Sequence, residues 1–307
     1  GDGAGNGPLR PGAGPARRRG GGRRFHQLQA RGIIAMKIEK MFSFLYYIFP
    51  NRFLVNFLEK ITNIFLRLQG IGSGAGVAAS GEARTLQKIS HILNDEVTIF
   101  DIGSNKGQYA ESVISAFHGK KLYLHCFEPS AYTFSILSQT LSKYTDKSID
   151  ITLNNFAFGK VCGTAPLYTN IPGSGLASLT RRRLQHFNIS MDNFEEVRIH
   201  TVDKYVSENK IKNIDILKLD VEGHELDVFI GAYETLKGSK CRFIQFEFGG
   251  CNIDTKTYFQ DFWYLFNGIG YKIYRITPSG YLHKIQSYKE IYEQFVTTNF
   301  IVSKEEI

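Results

Sequence analysis

Cysteine is scarce in this chain of 307 residues: Cys126, Cys162, Cys241 and Cys251 are the whole complement, and no two form a C-x-x-C pair. Such wide spacing, mostly within apolar runs, argues against a disulfide framework or a zinc knuckle and for a reducing, cytoplasmic setting. Tryptophan occurs once and proline eight times, against 24 Phe and 16 Tyr, a balance that fits a globular interior and not a low-complexity or collagen-like chain. Long apolar runs are missing too. Between Met41 and Leu68 the chain is dense in Phe, Leu and Ile, yet Pro50, Asn51, Arg52, Glu59 and Lys60 interrupt it, well short of the ~20 apolar residues a spanning helix needs. No transmembrane segment is expected there.

Positive charge is in excess, but it is local. Of the net +8, Arg10, Arg17, Arg18, Arg19, Arg23, Arg24 and Arg31 with the single acid Asp2 place +6 in residues 1–35, leaving +2 for the rest. Ten of the 30 glycines and three of the eight prolines share that stretch, so it cannot bury enough apolar surface to offset the entropy of ordering it. A disordered, solvated tail is expected, with an RNA-binding arm as the functional alternative. Because Met36 opens a change to Lys, Ile, Glu and Phe usage, the tail is also read as non-native: an upstream read-through, a wrongly assigned start or an expression remnant.

Residues 36–69 form a helical extension. Phe53, Leu54, Phe57, Leu58, Ile61, Ile64, Phe65 and Leu68 recur at helical spacing opposite Arg52, Asn56, Glu59, Lys60, Asn63 and Arg67, which predicts an amphipathic helix. Pro50 separates it from a preceding helical piece. The apolar stripe is expected to pack on the main domain or on a second subunit, with an interfacial helix at a membrane surface as the alternative. Gly70 to Gly76 reads as a flexible connector and lacks the Lys-Ser/Thr ending of a phosphate-binding loop.

The remaining 70–307 is long enough for one large core. From about residue 97 short apolar runs alternate with amphipathic stretches, the pattern of a parallel sheet covered by helices on both faces. Strands are predicted at 97–102, 122–127, 151–156, 214–219 and 243–248, and helices near 107–117, 130–143, 223–236 and 257–268. Two late runs, 271–276 and 295–302, have no helix between them and are expected to pair antiparallel at one edge. The interval 158–200 exceeds a simple connection and is the place to look for substrate specificity.

Chemistry concentrates where strands end. The first strand runs into Asp101-Ile102-Gly103-Ser104-Asn105-Lys106-Gly107 just before a helix. Such a turn lets a ligand approach bare backbone and the amides of a helix N-terminus. Its D-x-G-x-x-x-G spacing is not that of a dinucleotide-binding turn, and the acid would repel a pyrophosphate but suits an ammonium, as in the methionine part of S-adenosylmethionine. Glu128, at the end of the second strand in Phe127-Glu128-Pro129, is placed to accept both hydroxyls of a ribose. After the third strand, Asn154-Asn155-Phe156-Ala157 offers an amide for the adenine edge and apolar groups for its face.

The fourth strand leads into Lys218-Leu219-Asp220-Val221-Glu222-Gly223-His224-Glu225, and the fifth ends with Glu247. Carboxyl ends of strands in an open α/β sheet face the ligand crevice, so Asp220, with Glu222 or His224, should point at the reacting centre. Close carboxylates serve equally as a general base or as ligands to a divalent cation such as Mg²⁺ through Asp220, Glu222 and Glu247, and the sequence leaves both open.

Together these segments resemble the FkbM-type S-adenosylmethionine-dependent methyltransferases. The resemblance rests on Ser80-Gly81-Glu82, Phe100 to Gly107, Phe127-Glu128-Pro129, Asn155-Phe156-Ala157, Ala177-Ser178-Leu179 with Arg182, Thr201-Val202-Asp203 and Ile216 to Glu225, and it covers about 70–302. It implies a Rossmann-like seven-stranded sheet of order 3-2-1-4-5-7-6 with one antiparallel strand, and methyl transfer to a hydroxyl of a sugar, polysaccharide precursor or natural-product ring. Carried onto matching positions, it implies cofactor binding by Glu82, Asp101, Gly103, Ser104, Asn105, Gly107, Glu128, Pro129, Asn155 and Ala157, and acceptor binding by Ser178 and Arg182. Asp220 and His224 are the candidates for the catalytic base, with Glu222 and Glu247 as orienters or ligands. The Arg181-Arg182-Arg183 run with His186 could reach a phosphate or carboxylate on the acceptor. A small-molecule or glycan acceptor is the expected partner and nucleic acid is not; methylation of a protein, lipid or RNA, and a non-catalytic interaction protein, are the rival readings.

Overall fold

The computed structural model describes residues 43, 52–74, 76 and 79–307. The chain divides into two units, Gly1–Ile61 and Thr62–Ile307; the expectations for 1–35 and for a helical piece before Pro50 lie outside the described residues. Helix α1 (Arg52–Leu68) is the predicted amphipathic helix, and none of its residues is buried. Among the described residues no helix is long and apolar enough to cross a membrane.

The chain after α1 is not the flexible connector its glycines suggest. Ile71 bridges Thr298 in antiparallel fashion, and the Gly74 amide donates to the Thr297 carbonyl at 3.3 Å. Gly70 lies so close to the sheet that a Cβ there would stand 2.2 Å from the Ile276 carbonyl oxygen. Glycine serves close backbone approach at this point.

In the second unit helices and strands alternate over residues 82–154, and three further strands follow. They run α2 (Glu82–Ser90), β1 (Glu96–Ile102), α3 (Gln108–Ala116), β2 (Lys121–Phe127), α4 (Ala131–Leu141), β3 (Ile149–Asn154), β4 (Ala157–Phe158), β5 (Gly163–Thr169) and β6 (Asn193–His200). There follow α5 (Val202–Glu208), β7 (Ile214–Leu219), α6 (Glu225–Ile230), α7 (Tyr233–Lys237), β8 (Cys241–Phe248), α8 (Cys251–Thr255), α9 (Phe259–Gly268), β9 (Lys272–Ile276), β10 (Leu282–Ile285) and β11 (Thr298–Ser303). The main sheet has eight strands in the order β10-β9-β11-β8-β7-β1-β2-β3. β3, β2, β1, β7 and β8 are mutually parallel, and β11 is antiparallel to both β8 and β9.

This is the expected order 3-2-1-4-5-7-6, with the antiparallel seventh strand, β11, between β8 and β9, and with one addition. An eighth strand, β10, hairpins onto β9 through a turn where Gly280 has φ 74°. Successive strand residues point to opposite faces. Val97, Ile99, Leu122, Leu124 and Ile216 meet α2, α3 and α4 on one side, while Phe100, Ile102, Leu217, Leu219 and Phe246 meet α5, α6, α7 and α9 on the other.

The helix expected at 223–236 is broken into α6 and α7 at Gly231, where a Cβ would lie 2.1 Å from the Gly159 carbonyl oxygen. The long interval 158–200 carries a second sheet of order β4-β6-β5. Its strands were hidden in sequence because β5 is half-exposed and contains Pro166, which only an edge strand tolerates.

Candidate active site

The β1–α3 turn is built on positive-φ backbone: Gly103 at 78°, Asn105 at 48° and Gly107 at 95°. At Gly103 a side chain is excluded, since its Cβ would fall 1.9 Å from the Asp220 carbonyl oxygen. Ser104 knits the ends of β1 and β2 together. Its hydroxyl donates to the Asp101 carbonyl at 2.7 Å and accepts from the Phe127 amide at 3.1 Å. Glu128 follows at the end of β2, where its carboxylate accepts the Asn105 and Ser130 amides, each at 3.0 Å. Asn155 supports it from behind by donating to the Glu128 and Pro129 carbonyls at 2.9 and 3.0 Å.

Asp101 does not reach the crevice. It is fully buried and pairs across the β1–β7 register with Lys218, whose Nζ lies 3.3 Å from Oδ1. Lys218 also donates to the Gly103 carbonyl at 3.3 Å, stands 3.6 Å from Asp220 Oδ2 and lies 5.1 Å above the Tyr109 ring. Burial pushes Asp101 up, opposed by Lys218. Burial would lower the Lys218 ammonium, but Asp101, Asp220 and Glu82 together hold it above the ordinary lysine range. Glu82 is likewise turned inward, accepting from the Ser80 hydroxyl at 2.7 Å and from the Gln245 amide.

The β7–α6 turn carries Asp220, Glu222 and His224. Glu225 is buried and clamps the turn, its Oε1 accepting the Val221 and Gly223 amides at 3.0 and 3.3 Å. Glu222 has φ 52°. Its backbone carbonyl accepts the Ser178 hydroxyl at 2.8 Å, and its carboxylate meets Arg182, which also stands 3.8 Å from Asp254. Burial, then the neighbouring Asp220 carboxylate, pushes Glu222 up to about 8 against the pull of Arg182. Burial, then the Asp220, Glu222 and Glu225 carboxylates, raise Glu247 well above the ordinary glutamate range. Both ring nitrogens of His224 are engaged, Nδ1 with Asp227 at 3.0 Å and Nε2 with the Thr180 hydroxyl at 2.9 Å.

Two cavities meet here. The first, a narrow one, is lined by Gly103, Asn105, Glu128, Pro129, Ala157, Ser178, Asp220, Glu222 and His224 together with the apolar Phe127, Phe156, Phe158 and Leu179. The second, about 1570 Å³, is lined by Arg182, Glu222, Glu247, Gln294, Phe295 and Thr297 among others. Glu222 belongs to both. Of the residues expected to bind the cofactor, Glu82, Asp101, Ser104, Gly107 and Asn155 stand behind the first cavity and not on its wall. Arg181 pairs with Asp192, whereas Arg183 and His186 line a third space of about 840 Å³ beside the second.

Sequence reading overlooked Lys218, Thr180 and Asp227. The signal for Lys218 was a lysine inside an otherwise apolar strand, Ile214-Asp215-Ile216-Leu217-Lys218-Leu219, since a lysine there must be paired. Among the described residues no three His, Cys, Asp or Glu side chains are grouped to hold a metal ion.

Comparison with known proteins gives three results. No curated protein matches the chain in sequence. Among solved structures, an FkbM methyltransferase from Methylobacillus flagellatus KT is 18% identical over 69% of this chain and 45% of that one, with a TM-score of 0.43. The chain thus spans less than half the length of that protein. A TehB-like SAM-dependent methyltransferase from Corynebacterium glutamicum is 10% identical over 81% of this chain and 97% of that one, TM-score 0.39. The N-terminal domain of human METTL16, in complex with SAH, is 10% identical over 75% and 71%, TM-score 0.40. The model of the methyltransferase FkbM domain matches residues 101–273, from the buried aspartate that ends β1, through the turns that wall the first cavity, to the second residue of β9. The chain belongs to the FkbM methyltransferase family.

Proposed function

We propose that the protein is an S-adenosylmethionine-dependent O-methyltransferase acting on a hydroxyl of a sugar, polysaccharide precursor or natural-product ring. One observation carries this reading: Glu222 lines both a narrow, partly apolar cavity and a larger one that also carries Arg182 and Glu247, so two ligands can meet at this residue. The residues of the first cavity fit the cofactor. Glu128, fixed by two amides, offers its remaining lone pairs to ribose hydroxyls, and Phe156 and Ala157 supply an apolar face for adenine.

S-adenosylmethionine, when bound, supplies an electrophilic methyl group on a sulfonium. The chain's own residues then have to position the acceptor and take its proton. Asp220 lines the first cavity with its side chain 43% exposed, and it is the group placed to accept the hydroxyl proton. His224, held at both nitrogens, fixes the turn. Glu222, tethered by Arg182, and Glu247 orient the acceptor in the second cavity, and Ser178 positions Glu222 through its backbone. The four free cysteines support a reducing, cytoplasmic setting.

Calorimetric titration of the full chain with S-adenosylhomocysteine tests the cofactor assignment. Micromolar binding is expected, weakened at least about tenfold in Glu128→Ala, as for loss of a charge-assisted contact. A folded chain that binds none overturns it.

A further inference from the structure

We infer that Lys218 is a positioning residue of the cofactor site: its buried ammonium ties the glycine turn after β1 to the reacting carboxylate after β7. The inference rests on the cofactor reading of the first cavity. Lys218 is enclosed, and its Nζ reaches three groups on two strand ends: Asp101 Oδ1 and the Gly103 carbonyl, each at 3.3 Å, and Asp220 Oδ2 at 3.6 Å. The Tyr109 ring closes the site from α3, and its hydroxyl donates to Gln245 at 3.2 Å, which in turn donates to Glu82.

Neutralising Asp101 alone would require only one of these contacts. The Lys218 Nζ lies as close to the Gly103 carbonyl as to Asp101 Oδ1, 3.3 Å in each case, so the ammonium is not aimed solely at that carboxylate. Gly103 and Asp220 both line the cavity, and the Asp220 amide donates to the Ile102 carbonyl at 3.0 Å. Lys218 therefore adds a charged cross-link directly beneath the wall where a methyl donor and an acceptor would meet. Without it the Asp101 and Asp220 carboxylates have no cation between them, and the two turns are held together by backbone contacts alone.

The test separates this role from simple charge neutralisation. The double variant Lys218→Met with Asp101→Asn removes both buried charges and is compared with the unsubstituted full chain by thermal melting and by titration with S-adenosylhomocysteine. A melting point near that of the unsubstituted chain, with affinity lower by roughly 10–100-fold, is expected from displacement of the turn. Unchanged affinity in the folded double variant overturns the role of Lys218 alone. Absence of binding by the unsubstituted, folded chain overturns the cofactor reading and this inference with it.

If the double variant does not fold, the unsubstituted protein decides. The Lys218 ammonium resonance, slowed in exchange by burial, is expected to shift on titration with S-adenosylhomocysteine. A resonance unmoved at saturation overturns the inference.

Discussion

The Glu128 carboxyl accepts two backbone amides, yet burial outweighs them and pushes it up to about 7. Between the ordinary glutamate value and about 7 the folded chain keeps a proton that the unfolded chain has lost. The contribution of this group to stability is therefore present at acidic pH, falls as pH rises through that interval and levels off above it. The melting point of the parent relative to Glu128→Gln should drop between about pH 5 and pH 7.5, and parallel curves would contradict it. At Asp220 the expected effect is on chemistry: Asp220→Asn abolishes methyl transfer while S-adenosylhomocysteine affinity stays within a few-fold. Retained turnover in that variant would remove Asp220 from the proton-transfer step.

At the scale of elements, the site depends on backbone that only glycine can supply. Gly103→Ala places a Cβ at φ 78° against the Asp220 carbonyl, so strain of about 1–3 kcal/mol is expected from the dihedral, with the clash in addition. Loss of cofactor binding with a lowered melting point is the predicted outcome, measured by calorimetry and thermal unfolding. Helix α1 behaves in the opposite way. Its Phe57 and Phe65 are exposed, so Phe57→Ser and Phe65→Ser are each expected to change stability by no more than about 0.5 kcal/mol. A larger loss would show that the apolar stripe is covered in solution, and flotation with anionic liposomes would then separate a membrane surface from a second subunit.

Across the whole molecule, the two core faces and the sheet order deliver the carboxyl ends of β1, β2, β7 and β8 to one edge. The charges gathered there are balanced in the interior by Lys218. Lys218→Met alone leaves Asp101 buried and unpaired, and a loss of about 3–5 kcal/mol is expected from chemical denaturation. The proposed acceptor class is tested at this scale. With Arg182, Glu222 and Glu247 on the wall of the second cavity, labelled methyl transfer to glycan or sugar fractions and not to RNA is predicted; transfer to RNA alone would replace the acceptor assignment.

Much of this architecture was legible along the chain because hydrophobic periodicity is a local signal: β7 ran as predicted, and β1, β2 and β8 differed only at their first residues. Gly103, Glu128 and Asp220 were legible as well, since strand-end acids and a glycine turn are encoded within a few residues. What separates Asp220 on the cavity wall from Asp101 behind it is not local. Both are acids near strand ends, and only the pairing of β1 with β7 puts Lys218 opposite Asp101 and turns that carboxylate inward. The same holds for His224, whose partner Thr180 lies 44 residues away, and for Glu222, whose place between two cavities arises from the insertion folding back over the sheet. Sequence by itself determined the elements and their chemical stock; tertiary packing decided which groups face a ligand, because burial and ion pairing are set by neighbours distant in the chain.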